Sequence, residues 1–179
     1  MGYGISIRTE APFAEGTARV RDALKAQGFG VLTEIDMRAT LRGKLGEDMD
    51  DYLILGACNP SLAHRALGID SSIGLLLPCN VVVRSEAGQT IVEALDPQTM
   101  VTITGQPALQ PVADEAAGRL WAALDSLRRA AEHAGASRLD VPAAGGASRR
   151  APCSETGGAA ADSLGYLGPA GAAHRVLAL

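Results

Sequence analysis

Residues 56–80 read GACNPSLAHRALGIDSSIGLLLPCN and hold two of the chain's three cysteines, Cys58 and Cys79. Asn59 suits a helix N-cap, and Pro60 the first helical position, where a missing N–H costs nothing. Leu62, Ala63, Ala66 and Leu67 then make an apolar stripe that Gly68 stops. Residues 69–74 read as a turn. Residues 75–84 are the most strand-like segment of the chain, with Pro78 interrupting it at an edge or a bulge. The local plan is a short helix inserted between two strands, with a cysteine at each border.

Working outward, residues 52–56 are apolar enough for a strand covered on both faces. Near the start, Tyr3, Ile5 and Ile7 alternate with Gly4, Ser6 and Arg8, the period of a half-buried strand. Pro12 opens an amphipathic helix carrying Phe13, Thr17, Val20, Leu24 and Gln27, which Gly28 ends. Residues 29–37 form a second strand, with Phe29, Val31, Ile35 and Met37 on one face and Glu34 and Asp36 on the other. A short helix over residues 39–45 closes at Gly46. The acidic turn at residues 47–51 lacks the central glycine and the later bidentate glutamate of a calcium loop.

After the cysteines, residues 86–89 read as a hairpin loop into a strand over residues 90–95, and Asp96-Pro97 ends it. Val101, Thr102 and Ile103 suggest a last short extended piece. Pro111 opens the longest helix. Its stripe is Val112, Ala116, Leu120, Ala123, Leu124, Leu127 and Ala131, with Trp121 beside it to seal an edge. This order predicts an α+β fold: a single, mainly antiparallel sheet with two long helices on one face and a short inserted helix.

The chain has 179 residues, enough for one domain with a proper core. From about residue 134 it turns to Gly, Ala, Pro and Arg with no sustained period. The expected division is therefore a domain over residues 1–133 and a disordered tail over residues 134–179, whose GC-rich codons suggest an out-of-frame or read-through extension. A net charge of -4 and a pI near 5.3 argue against nucleic acid or an anionic membrane as partner. Three cysteines without C-x-x-C spacing fit a reducing compartment better than a disulfide scaffold. Met1 leads into a strand pattern without the features of a signal peptide, and no apolar run approaches a membrane helix. A cytoplasmic protein is expected.

The motif Leu55-Gly56-Ala57-Cys58-Asn59-Pro60, followed by Ala63, Ala66 and Leu67, by Gly74-Leu75-Leu76-Leu77-Pro78-Cys79-Asn80-Val81 and by Asp96-Pro97, resembles that of a bacterial and archaeal family. It is the family catalogued as domain of unknown function number 302, and the resemblance covers residue 3 to about residue 130. It implies a TATA-binding-protein-like fold, a curved antiparallel sheet with helices on one side, often paired as a homodimer. It implies no DNA binding, because fold does not fix function. It carries no established activity, and the tail has no counterpart in it.

Three readings of the cysteines follow from their chemistry. Both can be small buried hydrophobes beside tight turns. They can instead bind a small ligand or a soft metal, Cu(I) or zinc, with His64 one helical turn on as a third donor. Or they can cycle a Cys58–Cys79 disulfide, provided their Cα atoms lie within roughly 7 Å. Cys58, just before a helix N-terminus, is the better candidate for a lowered thiol pKa. Asp36, Glu93 and Asp96 are strand-end carboxylates that could line a pocket. No Walker loop, G-x-G-x-x-G, H-E-x-x-H or nucleophile elbow is present, so an enzyme is not the favoured reading. The favoured one is a small binding module with Cys58, Asn59, Cys79 and Asn80 as ligand-binding residues, because two thiols, two asparagines and a helix start converge there.

Overall fold

The computed structural model describes residues 2–136, with side chains through residue 130; the expected tail lies outside these residues except for its first three. Strand β1 (Gly4–Thr9) leads into helix α1 (Phe13–Ala26), then strand β2 (Gly30–Asp36) and helix α2 (Met37–Leu45). Strand β3 (Tyr52–Cys58), helix α3 (Pro60–Ile69) and a 3₁₀ segment (Ser71–Leu76) precede strands β4 (Cys79–Glu86) and β5 (Gln89–Leu95). Helix α4 (Gln98–Thr104), a 3₁₀ turn (Pro107–Leu109) and helix α5 (Gln110–Ala136) complete the order. The five strands make one sheet in the order β1-β5-β4-β3-β2, each neighbouring pair antiparallel. The α+β expectation is met.

Period-2 alternation decides what the sheet buries. Ile5 and Ile7, Leu55 and Ala57, Val81 and Val83, and Val92 and Ala94 share one face. Against it pack Val20 and Leu24 of α1 and Leu120, Ala123, Leu124 and Leu127 of α5. Both long helices therefore cover the same side. A second cluster continues this core toward α3 and α4, joining Leu62, Ala66, Ile73, Cys79, Met100, Leu109, Val112 and Ala116.

Among the described residues the opposite face has no helix layer. Tyr52, Ile54, Val82, Arg84 and Glu93 are half-buried there, and Asn80 is exposed. Ile91 is the exception, being buried with Arg8 and Arg84 as its register partners on either side. Residues 52–56 are thus covered on one face, not both: the aliphatic run of β3 reflects a central position in the sheet rather than a second layer.

Four further expectations change, each for a local reason. A bulge between Val31 and Thr33 shifts the phase of β2, so Val31 pairs with Ala57 on the core side while Ile35 pairs with Ile54 on the open side. Ile35 is consequently 46% exposed. The strand expected from residue 75 starts only at Cys79, because residues 71–76 coil into the 3₁₀ segment and Pro78 has no N–H to give to a ladder. Residues 101–103 are helical. Asp96 accepts from the Gln98 N–H at 3.0 Å, Pro97 follows as cap residue, and the Thr99, Thr102 and Thr104 hydroxyls donate to backbone carbonyls three or four residues back. Those hydroxyls are satisfied inside the helix, and the packing of Met100 and Val101 against the second cluster overrides the strand propensity of the segment. Trp121, expected to seal an edge, stands 54% exposed on α5.

Candidate functional site

The two cysteines meet where β3 ends and β4 begins. Cys79 pairs with Ala57, the residue before Cys58. One step along an antiparallel ladder sets the two cysteine Cα atoms roughly 6 Å apart. Cys79 points to the core and is buried; Cys58, at the strand end, is half-buried; both are free thiols. They help to line a cavity of about 20 Å³ whose wall also includes Phe29, Leu62, Met100 and Val112. Organic ligands occupy pockets of about 300–1,000 Å³. This one has room for an atom-sized guest.

Gly56 makes this meeting possible. It is buried, and a Cβ there would clash with Thr33 Oγ1 and lie 2.8 Å from Pro78 Cγ. The turn ahead of β4 thus folds over the bare backbone of β3 and delivers Cys79 beside Cys58.

Asn59 is occupied by folding. The Leu62 N–H donates to its Oδ1 at 3.2 Å and the Ala63 N–H to its carbonyl at 2.9 Å, the bonds of a helix N-cap. Its Nδ2 lies where a side chain on Gly28 would reach, 3.0 Å from an added Cβ. Replacing Asn59 by Ala is expected to cost about 1–2 kcal/mol, the upper part of the range for caps because the site is buried, read as a lower urea midpoint at unchanged slope. A change below a few tenths would show that the cap bond carries nothing.

Asn80 goes elsewhere. It lies on the open face of the sheet, lining a wide groove of about 460 Å³ with Tyr3, Tyr52, Val82 and Glu93. Strand alternation separates it from Cys79, so of the two asparagines only Asn59 lies on the cavity with the cysteines. His64 is exposed on α3, and among the described residues no three His, Cys, Asp or Glu side chains lie together as a metal set. The expected trio of Cys58, Cys79 and His64 is therefore not assembled. The carboxylates are also committed: Asp36 caps α2 through the Ala39 N–H at 2.8 Å, Asp96 accepts from the Gln98 N–H at 3.0 Å in the turn before α4, and Glu93 accepts from Arg84 at 3.0 Å.

The expected lowering of the Cys58 pKa is reversed. Burial pushes this thiol up, and the first turn of α3 spends its N–H groups on Asn59. Burial pushes Cys79 up further, to about 11, with the neighbouring Cys58 adding to the effect. Both shifts favour the neutral thiol over the thiolate. Met100, at 3% exposure, is the site residue that the sequence reading passed over. The stretch around it looked extended, which hid its place on a helix that returns to the cysteines.

Residues 5–127 match the family described as Domain of unknown function DUF302. The chain belongs to this family. The crystal structure of an uncharacterized conserved DUF302 protein from Bacillus stearothermophilus is similar to the DUF302 domain here, with 32% sequence identity and a TM-score of 0.66 over 70% of this chain and 98% of that one. No curated protein matches the chain. Among the described residues of this DUF302 protein no helix is long and apolar enough to cross a membrane.

Proposed function

We propose that this DUF302 domain binds a soft metal ion, Cu(I) or zinc, through the thiols of Cys58 and Cys79. One observation carries the reading: two free cysteines, one register step apart across β3 and β4, are both among the residues lining one small cavity. Thiolates are the soft donors such ions select, and each thiol that coordinates gives its proton to solvent. The role follows as holding or delivering an ion, not catalysing a reaction. The geometry favours this over a small organic ligand on volume alone.

The second reading, a Cys58–Cys79 redox couple, keeps support from the register, since the Cα spacing falls inside disulfide reach. The raised thiol pKa values count against rapid exchange. One experiment separates the two. The reduced full chain is titrated anaerobically with Cu(I) and separately with zinc, and followed by native mass spectrometry. One ion per chain, lost in Cys58→Ser, supports the site. No retained ion rejects it, and a mass loss of two hydrogen atoms when a disulfide oxidant takes up the two electrons and two protons, reversed by reductant and absent in Cys58→Ser, would favour the redox couple.

A further inference from the structure

We infer that Met100 is the third sulfur donor of this site, which makes it a Cu(I) site and not a zinc site. The inference rests on the two-thiol reading above and adds the ligand that the sequence motif lacks. Cys58, Cys79 and Met100 all line the same cavity, and Met100 belongs with Cys79 to the cluster of buried side chains beneath it.

The donor set follows by taking the wall in turn. Phe29, Leu62 and Val112 offer no lone pair for a metal. The Asn59 side-chain oxygen is taken by the Leu62 N–H at 3.2 Å. His64 is exposed on the helix, away from any His, Cys, Asp or Glu set among the described residues. Sulfur is what remains: two thiols and one thioether.

That set discriminates between ions. Zinc in structural sites takes four ligands in a tetrahedron from Cys, His, Asp or Glu. Only two such groups line this cavity, and the open positions would have to be filled by water among apolar side chains. Cu(I) prefers thiolate and thioether sulfur. A thioether also loses no proton on binding, and it packs as an ordinary core side chain when no ion is present. The rest of the wall is mainly apolar and offers no competing hard oxygen donor from a carboxylate.

Selenomethionine labelling gives the decisive test, because a copper–selenium vector identifies a methionine donor directly. The full-length labelled chain is loaded anaerobically with one equivalent of Cu(I) and its copper-edge X-ray absorption fine structure recorded. Copper–sulfur and copper–selenium scattering are expected together, and the selenium shell should vanish in Met100→Leu, a near-isosteric change that keeps the core packed. The same variant should bind Cu(I) at least ~10-fold more weakly against a chromophoric Cu(I) chelator. Zinc affinity should not change. Copper bound by sulfur alone, or selenium scattering that persists in Met100→Leu, overturns the role of Met100 while the two-thiol site stands. Failure of the wild-type chain to hold Cu(I) against the chelator at all removes the two-thiol reading itself.

Discussion

Gly56→Ala is expected to destabilise the protein by about 1–3 kcal/mol or more, although it adds a single methyl group. The glycine sits in β3, opposite Thr33 of β2 and Asn80 of β4, and its φ is not in the left-handed region. Space is the constraint. The new Cβ would overlap Thr33 Oγ1 and approach Pro78 Cγ to 2.8 Å. Neither neighbour yields cheaply: threonine is β-branched and stiff at χ1, and a proline ring has no rotamer to change. Relief must come from moving the turn before β4, which carries Cys79. Loss of stability should therefore come with faster alkylation of Cys79 in the native state. Gly118→Ala is the control, since that glycine is exposed within α5 and an added Cβ meets nothing within 4 Å. Its expected effect is a gain of about 0.8–1 kcal/mol from helix propensity. Equal effects of the two substitutions in urea denaturation would show that the crossing at Gly56 is not tight.

These two glycines illustrate what a sequence can and cannot disclose. Local signals placed most elements well: Pro12 and Gly28 around α1, Asn59-Pro60 at α3, and Gly46 at the end of α2, where φ is +71°. Such features act over a few residues and are legible there. In the structure, period-2 alternation along β4 sets Cys79 with Val81 and Val83 in the core and Asn80 on the other side. What failed depended on partners distant in sequence. The bulge of β2 is a property of its pairing with β3 and leaves no mark in Val31-Leu32-Thr33. Residues 101–103 looked like a strand because Val, Thr and Ile favour one, and the packing that overrides this in α4 cannot be counted before the helix exists. The site suffered most from this. Its motif residues Asn59 and Asn80 divide between a helix cap and the far face of the sheet, while Met100, some twenty residues beyond the motif, joins the thiols.

The burial of Cys79 should also be visible in stability as pH rises, in the metal-free protein. Its thiol pKa moves from an ordinary 9.0 to about 11 because burial penalises the thiolate, with Cys58 adding a smaller push in the same direction. The fold therefore prefers the neutral thiol. Below pH 9 the native and unfolded chains both hold the proton and stability is at its full value. Between about pH 9 and 11 the unfolded chain releases a proton that the native protein keeps, so stability falls with rising pH. Two pKa units at 1.36 kcal/mol each give a loss of about 2–3 kcal/mol across the window. Lysine and tyrosine titrate in the same range, so the comparison must be with Cys79→Ala measured alongside. That variant is expected to be less stable near pH 8, where the buried sulfur no longer packs, and to lose less stability on the way to pH 11. The two urea-denaturation curves of stability against pH should converge. Parallel curves would mean that Cys79 reaches water in the native state. A thiol so exposed would not belong to the buried cluster that joins Cys79 to Leu62, Met100 and Val112, so the measurement tests that packing directly.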